Sequence, residues 1–211
     1  MKISVLGASR GTGAEAVRIA LERGHEVTAF ARSPEKLALQ HPSLTLLRGD
    51  FHQPESVDGA VRGRDAVLVT ASATGLAGFK QNPNYFSQGT AYAIDAMKKW
   101  GVRRLVVLSA LGTGDSRKLV NFFVDKIAIS FLLKAPFEDH ERQEAMVRAS
   151  GLDWVIARPG RLTDGPARRQ YVKKASVEKV PSSISRADVA DFLVTAAETD
   201  AWIHQAVQIG G

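Results

Sequence analysis

Lys2-Ile-Ser-Val-Leu6 runs straight into Gly7-Ala-Ser9-Arg10-Gly11-Thr12-Gly13, and this junction decides the fold. A short apolar strand breaks into glycines and continues as an alanine-rich helical stretch. In the G-x-x-x-G-x-G spacing, Gly7 lets the chain leave the strand in a tight turn. Gly11 lets the backbone approach a phosphate, and Gly13 lets the following helix pack closely on the sheet. The unpaired N–H groups of the first helical turn then face an anion together with the positive end of the helix dipole. Glu26-Val-Thr-Ala-Phe30 reads as a second strand, which completes a βαβ unit. That is the context in which such glycines hold a dinucleotide pyrophosphate.

The end of the second strand selects the nucleotide. An acidic residue there would accept from the ribose hydroxyls of NAD, whereas a 2′-phosphate calls for a cation. The chain has Ala31-Arg32-Ser33 and no carboxylate before Glu35. Arg10, inside the glycine loop, brings a second planar guanidinium to the same pocket, and two such forks suit a phosphate dianion. The expected cofactor is NADP(H).

Outward from this unit, strand-like runs alternate with amphipathic ones. Leu44–Leu47, Asp65–Val69, Arg104–Leu108, Asp153–Ala157 and Ala206–Ile209 read as further strands. Pro34–Leu39, Pro54–Val61, Tyr85–Trp100, Glu138–Ser150 and Ser185–Ala197 read as helices, several opened by helix-start residues. The alternation predicts an α/β fold of the Rossmann type: a doubly wound, mainly parallel sheet with helices on both faces, in one domain over residues 1–211. Loops 74–86, 111–137 and 160–184 are expected to shape the substrate site. The first carries Gly75, Gly78 and Asn82-Pro-Asn84. The second carries Phe122, Phe123, Phe131 and Phe137, which either line an aromatic site or pack on the sheet.

Composition narrows the class. With 211 residues and 45% hydrophobic content, the chain can bury a full core, and no linker or repeat divides it. The longest apolar stretch, Leu119–Leu133, is interrupted by Asn121, Asp125 and Lys126, so no membrane span is expected; Lys2 is followed by only a few apolar residues and then glycines, so no signal peptide is expected either. The absence of cysteine excludes disulfides and thiolate chemistry and points to a reducing compartment such as the cytoplasm. A net charge of +6 is dispersed, without the basic and aromatic platform of a nucleic-acid binder. An anionic cofactor and substrate account for it, and the sequence leaves monomer and homodimer both open. No metal site is expected.

In open α/β sheets ligands sit outside the carboxyl ends of the strands. The residues there are Asp50 and Phe51 after the third strand, Thr70-Ala71-Ser72 after the fourth, Ser109 after the fifth, and Arg158-Pro159-Gly160 after the sixth. Asp50 is placed to accept from the adenine amine, or else makes an ordinary Asp turn. Phe51 adds an apolar contact. Thr70 and Ser72 line the ribose. Ser109 either faces the nicotinamide as a catalytic group or is a strand-end partner of the backbone.

These segments, in this order, resemble an atypical short-chain dehydrogenase/reductase of the NmrA-like group, nearest its flavin reductase and biliverdin-IXβ reductase branch. The likeness is carried by Phe30-Ala-Arg32-Ser33 beside the glycine loop, Leu47-Arg-Gly-Asp50 and Val106-Val-Leu-Ser109. It continues through Ala149-Ser-Gly-Leu-Asp-Trp-Val-Ile-Ala-Arg-Pro-Gly160 and Ile184-Ser-Arg-Ala-Asp-Val-Ala190. That branch usually carries G-x-x-G-x-x-G; here Arg10 stands at the middle glycine, and glycine moves to position 11, the form of NADPH-preferring short-chain dehydrogenases. The resemblance places Arg158-Pro159-Gly160 past the carboxamide end of the nicotinamide.

One departure concerns chemistry. Most short-chain dehydrogenases carry Tyr-x-x-x-Lys before the sixth strand, where the lysine lowers the tyrosine pKa and the tyrosine moves a proton. Counting back from Ala149-Ser-Gly151, those positions hold Pro136 and His140, so the dyad is missing. Hydride transfer to a flavin, quinone or linear tetrapyrrole needs chiefly stacked rings and exclusion of water. In the resembling branch an Asp-His pair falls where Asp139-His140 stands. His140, with an ordinary pKa of about 6.5, either positions substrate or donates a proton, or else is a surface helix residue. Two functions follow: an NADPH-dependent reductase of a planar electron acceptor, or a non-catalytic NmrA-like sensor that binds NADP and reports to a protein partner.

Overall fold

The computed structural model describes residues 1–71, 79, 82–120 and 133–211. Ser72, Thr74–Gly78, Phe122, Phe123 and Phe131 lie outside the described residues. Strands β1 (Lys2–Leu6), β2 (Glu26–Ala31), β3 (Leu44–Arg48), β4 (Ala66–Val69), β5 (Arg104–Leu108) and β6 (Asp153–Pro159) form the parallel body of the sheet. Their spatial order is β3-β2-β1-β4-β5-β6, followed by β10 (Gln205–Gly210) and β8 (Val172–Lys174). β10 pairs in parallel with β6, and β8 closes the edge antiparallel. β7 (Arg161–Thr163) and β9 (Ser183–Ser185) make a separate parallel pair. The doubly wound, mainly parallel sheet expected from the sequence is present. Strand order reverses between β1 and β4, so a crevice opens outside their carboxyl ends.

Helices cover both faces. α1 (Gly11–Glu22) and α5 (Arg186–Glu198) bury Val17, Ala20, Phe192 and Leu193 against Ile3, Val5, Val106 and Val155. On the opposite face α2 (Pro54–Val61), α3 (Tyr85–Trp100) and α4 (Lys134–Arg148) bury Val57, Met97 and Val147 against Leu6, Phe30, Val69 and Ile156. Both faces are covered, so β1, β4 and β5 read as nearly continuous apolar runs rather than alternating ones. Among the described residues no helix is long and apolar enough to cross a membrane.

Some boundaries differ from the sequence expectation. α4 begins at Lys134 rather than Glu138. Pro136 sits in its first turn, where a missing N–H costs nothing because that donor has no intrahelical partner. The stretch after Ser33 is a single 3-10 turn, Pro34–Leu37, ended by Ala38 in the left-handed region at φ 49°. β6 continues through Arg158 to Pro159, because hydrogen-bonded pairing with β10 runs to that point.

Candidate active site

The glycine loop fits its expected job. Gly7 leaves β1 at φ +101°, and its N–H donates to the Phe30 carbonyl at 2.9 Å. A Cβ at Gly13 would stand 2.2 Å from the Gly7 carbonyl oxygen and 2.7 Å from Thr70 Oγ1. Only glycine therefore lets α1 start so close to the strand end. No side chain caps the first turn of α1, so the N–H groups at its start are left for an external acceptor. A dinucleotide pyrophosphate fits that cradle.

A cavity of about 360 Å³ lies at this crevice, bordered by Gly7, Ser9, Arg10, Arg32, Ser33, Asp50, Phe51 and Ala71, as read from the sequence. Lys36 and Tyr85 border it too, and the sequence reading missed both. Lys36 follows a proline and a glutamate in the 3-10 turn, and only the turn's geometry swings it beside Arg32. Neither Arg10, Arg32 nor Lys36 has a carboxylate partner among the described residues. The one acid close in sequence, Glu35, is held by Arg48 at 3.0 Å. Arg32 and Arg10 both act electrostatically on Tyr85: burial raises its phenol pKa, and the two guanidinium groups oppose that rise. The two forks thus converge on one place.

Asp50 makes the Asp turn, with Oδ1 accepting from the His52 N–H at 2.9 Å, and it also borders the cavity. His52 stacks edge-on with Tyr85, their ring centres 4.4 Å apart. Gly11, Thr12 and Gly13 build the first turn of α1 but do not border the cavity. Thr70 does not border it either: it is buried, and its hydroxyl donates to the Leu6 carbonyl at 3.0 Å, tying β4 to β1.

Arg158, Ser109 and His140 do not border this cavity. Arg158 is 1% exposed and forms a two-pronged pair with Glu144, Nε at 2.9 Å and Nη2 at 2.5 Å, while Nη1 reaches Asp115 at 2.6 Å. Burial works against its charge, and Glu144 and Asp115 more than offset that. Its guanidinium is thus committed to protein carboxylates. Ser109 is 5% exposed and donates to Glu144 at 2.7 Å. The sequence carried no signal for this partner, because Glu144 comes from a helix thirty-five residues away.

His140 is not a surface residue. It lies flat on Phe86, ring centres 4.0 Å apart, and Nδ1 bonds Gln143. Burial lowers its pKa, against the opposing pull of Gln143, Glu144 and Asp139. Asp139 is fully buried: it accepts from the Phe86 and Ser87 N–H groups and the Ser87 hydroxyl, capping α3 from α4.

A second cavity, of about 810 Å³, opens beyond the carboxyl ends of β5 and β6, with Ala110, Leu111, Leu119, Phe137, Pro159 and Gly160 among its walls. In the strand order β1-β4-β5-β6 it comes next along the same sheet edge after the first. Among the described residues no cluster of His, Cys, Asp and Glu could hold a metal ion.

A model of the NAD(P)H-binding family matches residues 7–200. The chain belongs to that family. YhfK of Bacillus subtilis, an uncharacterised sugar epimerase, is 25% identical over 201 residues, covering 94% of this chain and 88% of its own. The oxidoreductase YlbE of Lactococcus lactis superposes with a TM-score of 0.83 at 21% identity, over 100% of this chain and 91% of that one. ChuY, an anaerobillin reductase of Escherichia coli O157:H7, superposes with a TM-score of 0.80 at 25% identity, over 99% and 96%.

Proposed function

We propose that this family member is an NADPH-dependent reductase that passes a hydride to a planar acceptor such as a flavin, a quinone or a linear tetrapyrrole. The observation that carries the reading is two unlike cavities on one sheet edge: a cationic one at the β1–β4 reversal and a largely apolar one past β5 and β6. The amides of the glycine loop hold the pyrophosphate. Arg10, Arg32 and Lys36 hold the 2′-phosphate, and Asp50 accepts from the adenine amine. When bound, the reduced nicotinamide supplies the hydride. The apolar walls of the second cavity keep the acceptor flat and exclude water.

No tyrosine–lysine dyad is needed, because a conjugated acceptor takes its proton from solvent after the hydride arrives: acceptor, NADPH and a proton give reduced acceptor and NADP⁺. The positions of that dyad hold Pro136 and His140, which argues against the dyad-dependent chemistry of a sugar epimerase such as the one YhfK is named for. The Ser109 hydroxyl hydrogen-bonds to Glu144, and His140 is stacked on Phe86, so neither offers a proton to substrate in this arrangement. Likeness to the reductase ChuY supports the same direction. Lack of cysteine suits work in a reducing cytoplasm.

The test incubates pure protein with NADPH and, separately, FMN, FAD, menadione and biliverdin, following loss of reduced-nicotinamide absorbance. Turnover of at least one acceptor supports the reading. Tight NADPH binding without turnover of any would replace it with the sensor.

A further inference from the structure

Lys118, Arg161 and Lys179 all border the second cavity, and all three are exposed at its rim. They come from three separate segments: the 3-10 turn Gly114–Leu119, strand β7, and the connection between β8 and β9. No carboxylate is among the described residues of that wall. The acids next to these cations in sequence are engaged elsewhere. Asp115 pairs with Arg158 at 2.6 Å, and Glu178 pairs with Lys174 at 3.2 Å. None of the three cations has a carboxylate partner among the described residues, although elsewhere many surface cations do, as Arg103 with Asp153, Lys99 with Asp58 and Arg186 with Asp164. The interior behind them is apolar, with Leu111, Leu119 and Phe137.

An apolar pocket with unmatched cations converging at its mouth is complementary to a molecule with an apolar body and an anionic end. We infer that the acceptor carries an acidic group, a carboxylate or a phosphate, and that Lys118, Arg161 and Lys179 hold it at the cavity mouth while the planar body lies inside. This rests on the reductase reading, which makes the cavity a substrate site. The arrangement fixes orientation: the charged tail stays at the solvent side, and the conjugated part points along the sheet edge toward the coenzyme crevice. Arg161 supplies a fork suited to two oxygens, and the lysines act as point charges.

Two matched pairs test it. FMN and riboflavin differ only in a phosphate, and biliverdin and its dimethyl ester only in two carboxylates. For each, KM is measured with saturating NADPH at low ionic strength, and affinity is measured by titration onto NADP⁺-loaded protein. The expected result is at least about tenfold tighter use of the charged member of one pair, the size of one charge-assisted contact. A preference in the flavin pair names phosphate, and one in the bilin pair names carboxylate. Lys118→Gln, Arg161→Gln and Lys179→Gln should each shrink the ratio between charged and neutral members, and added salt should shrink it in wild type. A loosened fold would weaken both members alike and leave that ratio unchanged. Equal affinity for charged and neutral members in both pairs overturns the inference even if all four are reduced. Absence of NADPH oxidation with all four, with the affinity preference intact, overturns the reductase reading instead.

Discussion

The Ser109 hydroxyl donates to Glu144 across 2.7 Å, so the residue that follows β5 at the carboxyl edge is anchored by a helix. The same carboxylate holds Arg158 of β6. Three elements, β5, β6 and α4, therefore meet on one buried acid that is 3% exposed. The ends of both strands that border the second cavity depend on it for their position.

Glu144→Ala should destabilise the protein by about 3–5 kcal/mol, the penalty for leaving a buried guanidinium with half its partners. Urea unfolding measures it. The double variant Glu144→Leu, Arg158→Met should recover most of that loss, because it removes both charges together. Equal losses in the single and double variants would show that the pair is not what matters.

Substituting alanine at two glycines should have opposite effects. Gly13→Ala puts a methyl 2.2 Å from the Gly7 carbonyl oxygen. The expected cost is about 1–3 kcal/mol of strain, with NADPH affinity falling as α1 is pushed off the sheet. Gly59→Ala, in the middle of α2 with nothing within 4 Å of the added carbon, should stabilise by about 0.5–1 kcal/mol. Thermal melts with and without NADPH separate the two effects.

Coenzyme choice should follow the cations. Arg32→Gln is expected to raise the NADPH KM by about ten- to a hundredfold, the loss of a charge-assisted contact, while barely moving that for NADH. Lys36→Gln should show the same sign with a smaller size, since a lysine offers one point charge rather than a fork. Equal effects on the two coenzymes would remove both residues from the 2′-phosphate site.

Acid should weaken the fold through His140. Burial holds its folded pKa below the ordinary 6.5, so the ring stays neutral in the fold while the unfolded chain takes up a proton. The associated stability is fully present above the unfolded value. It is lost as pH falls from there toward the folded value. The loss should be seen as pH falls from 7.5 toward 5.5. Parallel melts of wild type and His140→Gln check it: the variant should lose less over that interval, and identical slopes would discount His140.

Much of the cavity at the β1–β4 reversal is legible in the sequence because it is local. Gly7, Arg10, Arg32, Asp50 and Ala71 lie within a few residues of strand ends, and strand ends in an alternating α/β chain converge by rule. Lys36 escaped because a single 3-10 turn, too short to leave a periodic trace, decides where it points. That β6 runs on through Arg158 and that its guanidinium meets Glu144 is hidden for a related reason: both depend on partners far away along the chain.

The sequence by itself determined the strand and helix alternation, the glycine cradle and the cations at the second strand end, since these follow from periodicity, turn chemistry and spacing along a few residues. Chain packing alone brings Ser109 and Arg158 to Glu144, sets Asp139 as the cap of α3, and gathers Lys118, Arg161 and Lys179 around one apolar cavity. Such pairings join residues tens of positions apart, and nothing in local preference encodes which distant side chain will share a buried site.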